Sequence, residues 1–149
     1  MANTFRYLRG DTRPLSLPTL AADAIEIGDL LYWDATNNAA RNAETVSGAD
    51  YAAKKTAFAA AFLGVAQEAK AAGETKNVLA ATAGDFQFAC PSGAEYDVLD
   101  TVAVGTGSAV ADQTVVKDAT AANAIGRVIA LKPSAKTAVT VRLLSKTAI

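Results

Sequence analysis

Four acids, Asp85, Glu95, Asp97 and Asp100, fall close together in the chain. Two carboxylates facing one cleft are what acid–base hydrolysis needs, so this cluster is the first place to look for chemistry. The competing reading is of solvated acids at the ends of strands. It is preferred, and an acid-pair hydrolase is kept only as a residual. The chain contains no histidine, which removes the commonest general base, Ser-His nucleophiles and imidazole metal sites. Cys90 is the single cysteine. Alone it makes neither a disulfide nor a thiolate zinc site, it has no base beside it, and it is read as a small apolar filler. The glycines are scattered, and the Gly-Thr-Gly at 105–107 lacks the Lys-Ser/Thr of a phosphate-binding loop. The Arg-Gly-Asp at 9–11 is set aside as a chance tripeptide. No active site is expected, and no cofactor or metal.

The first twenty residues carry a different kind of chemistry. Phe5, Tyr7, Leu8 and Leu15 alternate loosely with Arg6, Arg9 and Arg13, and Pro14 and Pro18 follow. Proline and the residue before it favour extended backbone. Aromatic and arginine side chains are the usual anchors of protein interfaces, and burying Phe5 and Tyr7 would contribute about 1.5–3 kcal/mol each. The segment 1–20 is therefore read as an extended arm that reaches a partner, and 21–149 as a single β-rich domain. An edge strand of that same domain is the competing reading of the arm.

Composition limits what can position these residues. At 149 residues, 51% hydrophobic and 19% charged, the chain fits one domain that buries roughly 68–70% of its unfolded surface, not a disordered polyampholyte. Fourteen basic against fifteen acidic residues give a formal charge of −1, so no global field draws nucleic acid or an anionic membrane. No apolar run approaches the ~20 residues of a membrane helix, and the N-terminal stretch has no apolar core of a signal peptide. A protein made and used without a secretion signal is expected.

Along the chain, "AIEIGDLLYWD" (24–34) alternates like a strand, and residues 37–50 are small and polar, as a surface loop would be. "GADYAAKKTAFAAAF" (48–62) repeats Tyr51, Lys55, Phe58 and Phe62 at helical spacing. This predicts one short helix near 50–61, with Asp50 placed to cap it. From Leu63 onward, short apolar runs alternate with Gly, Pro and Ser, the pattern of an all-β sandwich or small barrel.

The chain also repeats itself. "FLGVAQEAKAAGETKNVLAAT" (62–82) is echoed by "AIGRVIALKPSAKTAVTVRLLS" (124–145), with a Thr eleven residues past each Gly, at Thr75 and Thr137. Asp29 in "IGDLLYWD" corresponds to Asp100 in "VLDTVAVG". The expectation is two related β-units, 25–82 and 97–145, the first enlarged by the loop and helix at 37–61. Neither half could bury its apolar face alone.

Together, "MANTFRYLRGDTRPLSLP", "IEIGDLLYWD", "FLGVAQEAKAAGET", "ATAGDFQF", "YDVLDTVAV" and "AIGRVIAL" resemble the capsid decoration, or cement, proteins of tailed bacteriophages, over nearly the whole chain. Two features depart from that pattern: "VLDTVAV" replaces a more hydrophobic "GDLVGV"-like strand, and the helix is alanine-rich. The resemblance implies a non-enzymatic virion protein on the outer capsid surface, made in the host cytoplasm. It would bind the major capsid protein, commonly as a homotrimer, and take no nucleic acid or membrane as partner. Under it, Phe5, Arg6, Tyr7, Arg9 and Arg13 become candidates for capsid or subunit contact. The alternative is a ligand-binding β module on the head surface, taking a glycan or a cell-surface receptor, with Tyr32, Trp33 and Tyr96 as a stacking surface.

Overall fold

Short apolar runs punctuated by Gly, Pro and Asn become strands in a computed structural model, which describes residues 6–106 and 110–148. In chain order these are β1 (Arg6–Arg9), β2 (Leu15–Leu17), β3 (Leu30–Asp34), β4 (Ala39–Asn42), β5 (Phe62–Ala66), β6 (Val78–Ala81), β7 (Asp85–Ala89), β8 (Thr101–Thr106), β9 (Val110–Lys117), β10 (Gly126–Val128) and β11 (Ala138–Leu143). One α-helix, α1 (Tyr51–Ala60), interrupts them among the described residues. The chain is all-β with a single short helix, as its punctuation predicts.

The strands form two sheets of the same design. The first runs β2-β6-β5-β3-β4, and Thr19, just past β2, meets Ala40 of β4 in a parallel bridge. The second runs β7-β11-β10-β8-β9, and Ala89 of β7 meets Thr114 of β9 in a parallel pairing. Each sheet thus curls until its outermost strands touch, and each position in one order has its counterpart in the other. Among the described strands only β1, laid antiparallel along β7, has no twin.

The duplication reaches single hydrogen bonds. Ile25 and Lys70 exchange backbone bonds of 2.8 Å, as Tyr96 and Lys132 do at 3.0 Å. The Asp29 carboxylate accepts the Glu26 N–H at 2.9 Å, and the Asp100 carboxylate accepts the Asp97 N–H at 2.8 Å. Lys70 and Lys132 are both buried, 3% and 2% exposed. The Lys70 ammonium donates to the carbonyls of Asp23 (2.5 Å), Glu74 (3.0 Å) and Ala71 (3.4 Å). That of Lys132 donates to Ala94 (2.5 Å) and Pro91 (3.3 Å) and lies 4.5 Å from the Tyr96 ring centroid. A buried ammonium is tolerated because carbonyl oxygens replace its water. The repeat therefore begins before residues 25 and 97, since β2 and β7 belong to it.

Both Gly residues of the echo are close-approach positions. A Cβ on Gly64 would stand 1.9 Å from the Ala81 carbonyl oxygen, and one on Gly126 would stand 2.3 Å from Val141 Cγ1. No side chain fits there without moving the neighbouring strand.

Two expectations need correction. Residues 37–50 are not simply a surface loop: β4 and a 3-10 turn (Ala43–Thr45) lie in them, and Ala39, Ala40, Ala43 and Val46 are buried. Small side chains read as loop, yet here they let a strand pack closely enough to close the sheet. The described part of the arm is built into the sheets, β1 on β7 and β2 on β6, and the Thr12 carbonyl accepts the Thr82 and Ala83 N–H groups. Hydrogen bonding therefore draws no line between the described residues 6–20 and those that follow.

The helix is where the pattern places it. Asp50 caps α1 by accepting the Ala53 N–H at 2.8 Å. Phe58 is fully buried against Tyr32 and Phe62, while the Tyr51 hydroxyl donates to the Val104 carbonyl (2.7 Å) and Lys55 pairs with Asp118 (2.5 Å). α1 thus pins the first unit to the second. One core joins both, with Leu30, Tyr32, Phe62 and Val65 packed with Phe86, Phe88, Val104 and Val141. Full burial of each large side chain contributes about 1.5–3 kcal/mol. A smaller cluster, including Ile25, Leu31, Leu63 and Val78, fills the first unit.

Candidate functional site

The outward face of the second sheet follows from strand alternation. Along β11, Val139, Val141 and Leu143 point into the core, which leaves Thr140 and Arg142 facing out. The register then lines up a row across four strands. Arg127 on β10 is opposite Arg142 on β11, Arg142 is opposite Asp85 on β7, and Asp85 is opposite Arg9 on β1.

Asp85 organises this row. It is only 2% exposed. Arg142 donates to it twice, from Nε to Oδ1 at 2.8 Å and from an Nη to Oδ2 at 3.1 Å, and Arg9 Nε donates to Oδ2 at 3.0 Å. The fork of Arg142 holds the Asp85 carboxyl below the usual carboxylate range, and Arg9 adds to the effect. These bonds use two of the five N–H donors of Arg142 and one of those of Arg9. The remaining donors face outward on side chains that are 61% and 66% exposed. Arg127, also exposed, makes one long contact, from Nη1 to the Leu99 carbonyl at 3.5 Å. Two arginines thus share one carboxylate, and a third stands beside them in the row. In the first unit the ratio is reversed, since Arg41 is held by both Asp23 (2.7 Å) and Asp34 (3.2 Å).

The next row inward pairs Thr140 with Gln87, and Gln87 with Arg6 of β1. Beside it opens a groove of about 460 Å³ bordered by Gln87, Thr140, Leu131, Lys132 and Lys136. Lys132 is the caged lysine, so Lys136 is the exposed cation there. The groove's walls are mixed polar and apolar, with one exposed lysine.

The other sequence candidates fall as follows. Phe5 lies outside the described residues. Tyr7 packs edge-on against Phe86, with centroids 5.6 Å apart, and donates its hydroxyl to the Gly10 carbonyl at 2.6 Å while staying 49% exposed. Arg13 is exposed, away from the row, in a turn where its N–H donates to Asp11 and its carbonyl accepts from Thr82. The aromatic stacking surface is not formed. Tyr32 and Tyr96 are buried, 7% and 1% exposed, and only Tyr32 and Trp33 share a shallow cleft. Nor do the four acids converge. Asp85 belongs to the arginine row, Asp100 pairs with Lys117 at 2.9 Å, and Glu95 and Asp97 are exposed. Asp85 is thus no solvated strand-end acid, because register places two guanidinium groups over it. Cys90 is buried, and burial pushes its thiol up.

Among the described residues no three His, Cys, Asp or Glu side chains gather as a metal site, and no helix is long and apolar enough to cross a membrane. Arg127 and Arg142 were missed by sequence reasoning. Their signal was each arginine's outward place in an alternating strand, but only the register joins them to Asp85. No protein-family model matches the chain, and no curated protein matches it significantly in sequence.

Proposed function

We propose that this chain is a structural, non-enzymatic virion protein that binds the outer surface of an assembled phage head and stabilises the shell by bridging neighbouring major capsid subunits. The observation that supports it best is the joining of arm and domain in one exposed basic face, where Arg9 of β1 and Arg142 of β11 share Asp85. The resemblance over nearly the whole chain supplies the identity of the partner. A face presented by one rigid domain binds weakly by itself. Three copies in a homotrimer make the later contacts intramolecular and raise avidity by ~10²–10⁴. A ligand that binds only the assembled shell shifts the equilibrium toward assembly.

The test is co-sedimentation of the purified protein with expanded heads that lack it, counting copies bound per head. Deleting the arm would strip β1 from one edge of β7 and orphan the bonds to Thr82 and Ala83, so point variants are the better probe. Arg9→Ala leaves Asp85 held by the Arg142 fork, and Tyr7→Ala removes a half-exposed ring. Saturation at a ratio that capsid symmetry allows, reduced in both folded variants, is the expected result. No binding of the parent protein at micromolar concentration refutes the proposal.

A further inference from the structure

The duplication supplies an internal control for the basic face. Gly64 and Gly126 are twins, so the pair opposite each other just beyond them is Val65–Ala81 in the first unit and Arg127–Arg142 in the second. Val65 and Ala81 are fully buried in the joint core, whereas the two arginines face out. The same register position is apolar where the other unit covers it and charged where it is open. Like charges placed directly opposite on neighbouring strands destabilise a sheet, and Asp85 faces only one of the two.

A second asymmetry lies at the same edge. The turn before β3 places Gly28 at φ +98°, and its twin before β8 places Leu99 at φ +78°. Left-handed backbone suits glycine and strains a leucine. Leu99 is nevertheless 66% exposed, and so gains little from burial. Val98 (53%) and Leu131 (59%) are exposed beside it, because 96–99 runs antiparallel to 128–132 through the Leu99–Val128 and Tyr96–Lys132 bonds. The first unit has Gly28 and Ala69 where the second has Leu99 and Leu131. The acid that follows Leu99, Asp100, is engaged by Lys117 at 2.9 Å. A strained, exposed residue that the fold does not require points to a role in contact.

We propose that the outer face of the second unit docks an acidic segment of a partner protein, with carboxylates received by Arg127 and Arg142 and an apolar side chain covering Leu99, Val98 and Leu131. Charge complementarity selects this occupant, since three arginines face outward over one buried, already paired carboxylate. The apolar strip favours protein over nucleic acid, because it offers no exposed aromatic ring for base stacking. The groove beside Gln87 and Thr140 continues the track for an extended chain. The proposal refines the head-binding reading and rests on it for the partner's identity alone.

The test uses the full chain and a labelled synthetic peptide of alternating glutamate and leucine, read by fluorescence anisotropy, with single-stranded oligodeoxythymidylate as the competing polyanion. The peptide is expected to bind more tightly than the oligonucleotide and to weaken with added salt. Arg127→Glu should reduce peptide affinity by about tenfold, the scale of one lost charge contact, and Arg127→Gln by less. Leu99→Gly should also weaken binding while melting no lower than the parent, because it relaxes the backbone as it removes the contact. No peptide binding, tighter oligonucleotide binding, or unchanged affinity in folded Arg127→Glu overturns the proposal. Heads separate the two readings. If heads bind Arg127→Glu as well as the parent, this face is not the capsid contact and the docking proposal falls while head binding stands. If peptide binds and heads do not, head binding falls and the docking proposal stands.

Discussion

Replacing Lys132 with methionine tests whether the caged lysines hold the duplicated units together. Methionine keeps an unbranched chain of similar length, so the packing against Tyr96 survives and only the ammonium is lost. The carbonyls of Ala94 and Pro91, now at 2.5 and 3.3 Å from Nζ, lose their donor, and the cation 4.5 Å from the Tyr96 ring centroid disappears. An orphaned buried acceptor costs about 1–3 kcal/mol, and a cation–π contact contributes about 0.5–2 kcal/mol. The longer of the two bonds is the weaker, so the total is about 2–4 kcal/mol. Against a typical domain stability of about 5–15 kcal/mol, that is a large fraction, and it corresponds to roughly 5–15 °C in Tm. Urea unfolding is the assay, followed by far-ultraviolet circular dichroism and by the fluorescence of Trp33, the single tryptophan. Trp33 sits in the first unit and Lys132 in the second. Because one core joins the units, both signals should shift together. A loss below about 0.5 kcal/mol, or a transition by dichroism that leaves the Trp33 transition where it was, refutes the reasoning. Lys70→Met removes a donor from three carbonyls and should cost a similar amount.

Two further outcomes follow from the geometry. The carboxylate of Asp85 titrates below its unfolded value, so its ion pairs stabilise the fold fully above about pH 4, the ordinary carboxylate range, and are lost as pH falls through the lowered value. Asp85→Asn should therefore be less stable than the parent at pH 5 and above, and the gap should close in more acid solution. A gap independent of pH in urea titrations would remove the charge from the explanation. Gly64→Ala and Gly126→Ala should each destabilise by about 1–3 kcal/mol, the range for overpacking. Gly64 should be the worse because its Cβ would stand 1.9 Å from a backbone oxygen, whereas the nearest backbone atom to that of Gly126, the Arg142 oxygen, is 2.9 Å away. Equal stability of Gly64→Ala and the parent would show that the strands can part there without loss.

The basic face and the first unit's Arg41 site show how one scaffold serves opposite electrostatic ends. Arg41 lies between Asp23 and Asp34, and its pKa is raised by them, so that corner is closed and acidic in balance. The arginine row is open and basic. The twin aspartates diverge for the same reason. Burial pushes Asp29 up, although the Glu26 N–H and Gln113 oppose it, whereas Lys117 holds Asp100 down. A formal charge of −1 for the whole chain hides this polarity.

By itself the sequence determined the all-β class, the capped helix and the two-fold repeat, because alternation, capping chemistry and a recurring Gly are local properties carried by neighbouring residues. Gly64 and Gly126, and Asp29 and Asp100, could be read as twins for that reason; that Lys70 and Lys132 are both caged is a fact of the tertiary structure. Tertiary structure alone decided that the small residues Ala39 and Ala40 form a closing strand, since their close packing depends on a partner far away in the chain. It also decided that Tyr32 and Tyr96 are core and not a stacking surface. Above all, it decided that Arg9, Asp85, Arg142 and Arg127 stand in one row. Register between distant strands is set by how whole faces bury together, and no spacing along the chain records it.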